Sequence, residues 1–125
     1  MKYLTPHKVI QIHFELVEAT GGLQGLRDLG LLESAVSRPQ ASFGGKDLYP
    51  SLILKAAALV HSLLLNHVFA DGNKRTATIS MIEFLTLNGK KINMTNKEMV
   101  DFALWVENKR PELEEIAAWI KKHRS

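Results

Sequence analysis

Residues 51–66 read SLILKAAALVHSLLLN and are apolar on nearly every face of a helix. A helix that is hydrophobic all round cannot lie on a surface, so this one must run through the centre of the fold. Its apolar run, 52–65, is interrupted by Lys55, His61 and Ser62 and is too short to span a bilayer. A second segment, 73–87, is similar, with Ala77, Ile79, Met81, Ile82, Phe84 and Leu85 spread around it and Asn88-Gly89 closing it. Two such helices need others to cover them.

Helical periodicity supplies those covers almost throughout. Thr5 is a natural N-cap with Pro6 at the first helical position, and Val9, Ile10, Ile12, Phe14, Leu16 and Val17 form one broad apolar arc ending at Gly21-Gly22. His13 lies inside that arc and reads as a core histidine with a hydrogen-bond partner. Asp28 can cap LGLLESAVS, which stops before Pro39. The stretch RPQASFGGKDLYP is irregular; its Gly44-Gly45 pair suits a hairpin tip, and the segment is either plain connection or a functional flap. Ser51 caps the third helix, in which His61 reads as a packed structural residue. Thr95 and Glu98 have capping-box spacing for a fifth helix to about Glu107, and Pro111 opens a sixth that ends in KKHR. The expected fold is all-α: a single domain, 1–125, forming a compact six-helix bundle around two central apolar helices, with a short β-hairpin near residues 40–50.

Composition narrows the function. The chain has no cysteine, which excludes disulfides, Cys-ligated zinc and a thiol nucleophile and fits a reducing cytoplasm. MKYLTPHKV lacks the apolar run of a signal peptide, so a cytoplasmic location is expected. The net charge is +3, but the lysines and arginines are scattered and no aromatics are interleaved, so neither direct DNA binding nor a membrane partner is expected.

The chemistry concentrates in HVFADGNKRTAT, residues 67–78, between the two apolar helices. A helix starting at Asn73 presents free N–H groups, and Gly72 lets the chain turn sharply and a ligand come close. Together they form an anion nest suited to phosphate. Lys74 and Arg75 on the first turn oppose the helix dipole, which makes sense when an anion occupies the site. Asp71 can hold Mg²⁺ together with phosphate oxygens. His67 has the pKa for proton transfer and can deprotonate an incoming hydroxyl. Phe69 would anchor the loop in the core, and Asn73 would either fix the loop or donate to phosphate. An ordinary interhelical turn capped by Asp71 or Asn73 would leave His67, Lys74 and Arg75 unexplained.

These residues, HVFADGNKRTA, resemble the signature of the Fic/Doc (Fido) superfamily, closest to its death-on-curing (Doc) branch of toxins from type II toxin–antitoxin modules. GGLQGLRDLGLLESAVSRP and AALVHSLLLNH resemble the flanking family segments, so nearly the whole chain is comparable. The resemblance implies an all-helical enzyme that transfers part of ATP, with Mg²⁺, to a protein hydroxyl. By it His67 is the general base and Asp71 the Mg²⁺ ligand. Gly72 and Asn73 belong to the anion-binding turn, Lys74 and Arg75 contact phosphates, and Thr76 falls in the same nucleotide-binding run. Residues 38–51 become the flap that aligns the target, with Ser42, Phe43 and Gly44 as members.

AMP-transferring Fic proteins resemble HPFxxGNGRxxR, whereas here Val68, Lys74 and Thr78 replace the proline, second glycine and final arginine. The resemblance to Doc then implies reversed nucleotide binding and transfer of the γ-phosphate to a Ser/Thr hydroxyl of a translation factor, elongation factor Tu or its like, arresting translation. AMP transfer is the alternative, and a metal-dependent hydrolase built on His61, His67 and Asp71 is the alternative of a different class. An inhibitory Ser/Thr-x-x-x-Glu-Gly/Asn motif is approached only by ALWVEN, where Ala103 replaces the hydroxyl residue within an amphipathic helix. Inhibition is therefore expected in trans, from an antitoxin docking near Trp105 and Trp119, unless both indoles are fully buried.

Overall fold

The computed structural model describes residues 1–123. Among them are α1 (Pro6–Thr20), α2 (Leu29–Ser37), β1 (Ser42–Phe43), β2 (Lys46–Asp47), α3 (Leu52–Asn66), α4 (Asn73–Leu87), α5 (Asn96–Lys109) and α6 (Leu113–Lys122), with a 3-10 turn, Arg38–Gln40, after α2. The architecture is the expected all-α bundle with one short hairpin.

Four helices begin under a side-chain cap. Thr5 accepts from the Lys8 amide, Asp28 from Leu31, Ser51 from Leu54 and Thr95 from Glu98, each at 3.0–3.1 Å. Each cap satisfies one of the orphan donors of a first turn. α4 differs: its N-cap is Gly72, with no side-chain cap, so its first-turn donors stay open.

α3 is the central rod. It packs against α4, α6, the 3-10 turn, α2 and α5, and Ala56 to Val60 along it are all buried. α4 lies beside α3 and also contacts α1 and α5. Its buried face carries hydroxyls as well as apolar groups: Thr76, Thr78 and Ser80 are buried, while Ile79 and Ile82 are only partly so. No helix among the described residues is long and apolar enough to cross a membrane.

The structure corrects several sequence expectations. In α1 the fully buried stripe is Val9, His13 and Val17, a repeat of four, and Phe14, about 100° away around the helix, is 53% exposed. In α5 the apolar spacing predicts an arc of Met99, Val100, Phe102, Ala103 and Val106, but the buried residues are Phe102, Ala103 and Val106, and Val100 is exposed. α5 runs past Glu107 to Lys109 and ends on Arg110, a left-handed residue (φ 46°) whose N–H bonds to the Val106 carbonyl. α6 starts at Leu113 rather than Pro111. Glu112 is the N-cap and its N–H donates to Glu115 Oε1 at 3.0 Å, so Pro111 falls outside the helix, buried. Arg124 of the KKHR end lies outside the described residues.

Candidate active site

Six residues, 67–72, join α3 to α4, and the core grips them from inside. Val68 and Phe69 are buried. The Asn73 side chain closes the loop on itself: Oδ1 accepts from the Phe69 N–H (3.0 Å) and Nδ2 donates to the Phe69 carbonyl (2.9 Å). Of the two roles open to this side chain, it therefore takes that of fixing the loop. From outside, residues 25–28 pair with the loop. Arg27 N–H donates to the Val68 carbonyl (2.7 Å), Ala70 N–H to the Gly25 carbonyl (3.0 Å), and Leu26 forms an antiparallel bridge with Phe69.

His13 is the core histidine that its position in the arc suggests, and its partner is the loop itself. Nε2 lies 2.6 Å from the Asp71 carbonyl, so Nε2 carries the hydrogen, and the ring stacks on Phe69 with centroids 3.8 Å apart. The Asp71 carboxylate is held by two backbone donors: Gly72 N–H to Oδ1 (2.8 Å) and Leu23 N–H to Oδ2 (3.3 Å). Its remaining lone pairs are open to a cation.

His67 is the C-cap of α3, with a left-handed backbone (φ 48°, ψ 56°) and a half-exposed ring. Such a conformation in a non-glycine residue costs of order 1–3 kcal/mol and persists where the surroundings over-determine it. Glu107, from the last turn of α5, reaches in over the loop. Its carboxylate lies 3.8 Å from His67 Nε2 and 3.6 Å from Lys74 Nζ, and Oε1 is buried without a hydrogen-bond partner.

His67, Asp71, Gly72, Asn73, Lys74 and Arg75, with Ala70, line one cleft of about 220 Å³. The uncapped N-terminus of α4 opens into it, beside two cations and one carboxylate. Those features fit a nucleotide's phosphates with Mg²⁺. Among the described residues no three metal-binding side chains converge. Mg²⁺ does not need a full protein cage: one or two carboxylates plus phosphate oxygens are its usual set.

Two residues of the signature do not reach the cleft. Thr76 is 1% exposed, with its N–H spent on the Gly72 carbonyl, and Thr78 is fully buried with its hydroxyl on the Lys74 carbonyl (2.8 Å). Both are buried on the flank of α4, and neither lines the cleft. His61 is likewise occupied. Its Nδ1 meets Arg38 Nη1 at 2.9 Å, and burial, with Arg38 and Arg110 nearby, holds its pKa below the ordinary value. It does not join His67 and Asp71, so the hydrolase ligand set is not assembled.

Ser42, Phe43 and Gly44 lie on the hairpin, outside the cleft lining. Ser42 pairs with Asp47 and Phe43 with Lys46, and Gly44 and Gly45 (φ 59° and 79°) supply the positive φ angles that a two-residue turn requires. Trp105 and Trp119 are each half-buried around Phe102, with centroids 6.2 and 4.4 Å from it.

Sequence reasoning met Glu107 only as the acid of ALWVEN, not as a neighbour of His67 and Lys74, and missed Gly22. Gly22 was legible only as a helix stop, yet a Cβ there would lie 2.8 Å from Asp71 Oδ2, and its φ of +113° suits glycine alone. Gly22→Ala is expected to cost about 1–3 kcal/mol in denaturant unfolding and to weaken Mg²⁺-dependent nucleotide binding. Unchanged Mg²⁺ dependence would show that Asp71 is not held from this side.

Residues 3–85 match the model of the Fic/DOC family. The chain is 53% identical over 74 residues to a protein named "Toxin Doc" from Mycolicibacterium smegmatis, covering 59% of this chain and 57% of that protein. It is 31% identical over 104 residues to "Protein kinase doc" of Escherichia phage P1, covering 83% of this chain and 81% of that one. The matched stretches include the whole site loop in the family model and most of the bundle in the phage protein. The chain belongs to the Fic/DOC family.

Proposed function

We propose that the chain is a Doc-type toxin of a type II toxin–antitoxin system. It transfers the γ-phosphate of ATP to a Ser/Thr hydroxyl of an elongation factor Tu-like translation factor in the cytoplasm, arresting translation. The observation that carries this is the convergence of His67, Asp71, Lys74, Arg75 and the uncapped start of α4 on one cleft. The name of the phage relative, a protein kinase, supports phosphate rather than AMP as the group moved.

Bound with the triphosphate, Mg²⁺ would offset phosphate charge. Asp71 would hold it, its carboxylate oriented by the Leu23 and Gly72 N–H groups. The free N–H groups of the first turn of α4, with Lys74 and Arg75, grip the phosphates. His67 removes the proton from the target hydroxyl as its oxygen forms the new bond to the γ-phosphorus. The bond from that phosphorus to the β–γ bridging oxygen breaks, and ADP leaves with the electron pair. The loop's many anchors keep these groups in fixed register, which is most of what phosphoryl transfer asks of a protein. An antitoxin restrains the enzyme in trans, docking near Trp105 and Trp119, whose indoles are only half-buried.

The test is transfer to purified elongation factor Tu from ATP labelled at the α or the γ phosphorus. Label from γ alone is expected. Label from α would replace the proposal with AMP transfer, and no label from either, with the fold intact, would overturn both.

A further inference from the structure

The hairpin has no apolar footing. Residues 42–48 are all exposed, and Phe43 is 82% exposed. What holds the hairpin is polar, and nearly all of it comes from α3. Lys55, in the first turn of α3, is only 2% exposed. Its Nζ donates to the Pro39 carbonyl and to Asp47 Oδ2, both at 3.1 Å, and so ties the chain before β1 to β2. One to two turns further along, Arg38 Nη1 shares its two hydrogens among the Ala58 carbonyl (3.3 Å), His61 Nδ1 (2.9 Å) and Ser62 Oγ (2.9 Å). The same guanidinium donates through Nε to Tyr49 Oη at 3.0 Å. The residues that enter and leave the hairpin are thus fastened at two levels of one helix.

Packing does not account for Lys55. A buried ammonium carries a desolvation cost that an apolar side chain of similar length avoids, and replacing buried ion pairs by apolar groups is often neutral or stabilising. Position accounts for it. α3 ends at His67, so the same rod carries the hairpin's fastenings at its start and middle and the base at its C-cap. From Lys55 to His67 the rise is about 18 Å.

We propose that Lys55 and Arg38 are positioning residues for the protein substrate: they fix the hairpin edge relative to His67, so that a target segment laid along that edge brings its hydroxyl to the base. This rests on the proposed transfer reaction for its functional readout, and on the hairpin contacts alone for its structural one.

The test compares the full chain with Lys55→Met and Asp47→Asn. Asp47 is exposed, so its variant remains informative if Lys55→Met fails to fold. Three quantities are read: ATP binding, transfer to elongation factor Tu over a range of its concentrations, and hydrogen exchange of the amides of residues 41–48. The expected result is a KM for the protein target raised about tenfold or more. ATP affinity and kcat should stay within about twofold, while the hairpin amides lose protection and the double variant is no worse than the worse single one. An unchanged KM overturns the proposal, as does an equal fall in kcat with no change in KM. If the wild type transfers nothing to elongation factor Tu, the proposed reaction on that target fails. The exchange measurement then decides the clamp: protection lost in both variants supports it, and protection unchanged overturns it.

Discussion

Replacing His67 is expected to lower phosphate transfer by about 10²–10⁴-fold, the range that general-base catalysis contributes, with ATP binding nearly unchanged. Alanine is an imperfect probe here, because residue 67 is left-handed and alanine tolerates that conformation poorly. Asparagine tolerates it better. His67→Asn should therefore retain the thermal midpoint of the parent while losing the same activity as His67→Ala. Transfer within a few-fold of the parent in both variants would remove His67 from the mechanism. Loss in alanine alone would point to the turn rather than to the imidazole.

Asp71→Asn is expected to reduce transfer roughly 100-fold or more, as removal of a ligand to a charge-neutralising metal does. The amide keeps one oxygen to accept from Gly72 or Leu23, and the backbone carbonyl that takes the His13 hydrogen is untouched. The fold should therefore survive, and raising the Mg²⁺ concentration should recover part of the activity. Transfer in Asp71→Asn that is both normal and indifferent to Mg²⁺ would show that the carboxylate serves the loop and not the metal.

The parts of this molecule that follow from local rules were legible in its sequence. Thr5, Asp28, Ser51 and Thr95 each start the helix their side chains promise, because capping is decided within four residues. The cleft was legible for the same reason: all its lining falls within one short stretch, between His67 and Arg75. What arrives from elsewhere was not. Glu107 belongs to α5 and enters the sequence only as the acid of ALWVEN; nothing local places it beside His67 and Lys74. Lys55 read as a break in an apolar run, since its partners, Pro39 and Asp47, become neighbours only when the hairpin folds back on α3. Thr76 falls in the nucleotide-binding run by its place in a pattern, but a pattern carries no burial, and the residue is only 1% exposed.

Glu107 bears on how the proposed phosphate ligand would enter the cleft. Lys74 already has a carboxylate 3.6 Å away, so a phosphate that binds there exchanges with a counter-ion and does not fill a bare positive site. An exchange rewards the difference in charge. A ligand with a single negative charge gains little over the glutamate, whereas a triphosphate spreads several charges across Lys74, Arg75 and the donors of α4 and gains on all of them at once. In the proposed reaction the acid at the end of α5 would therefore favour a polyanion over a small singly charged one.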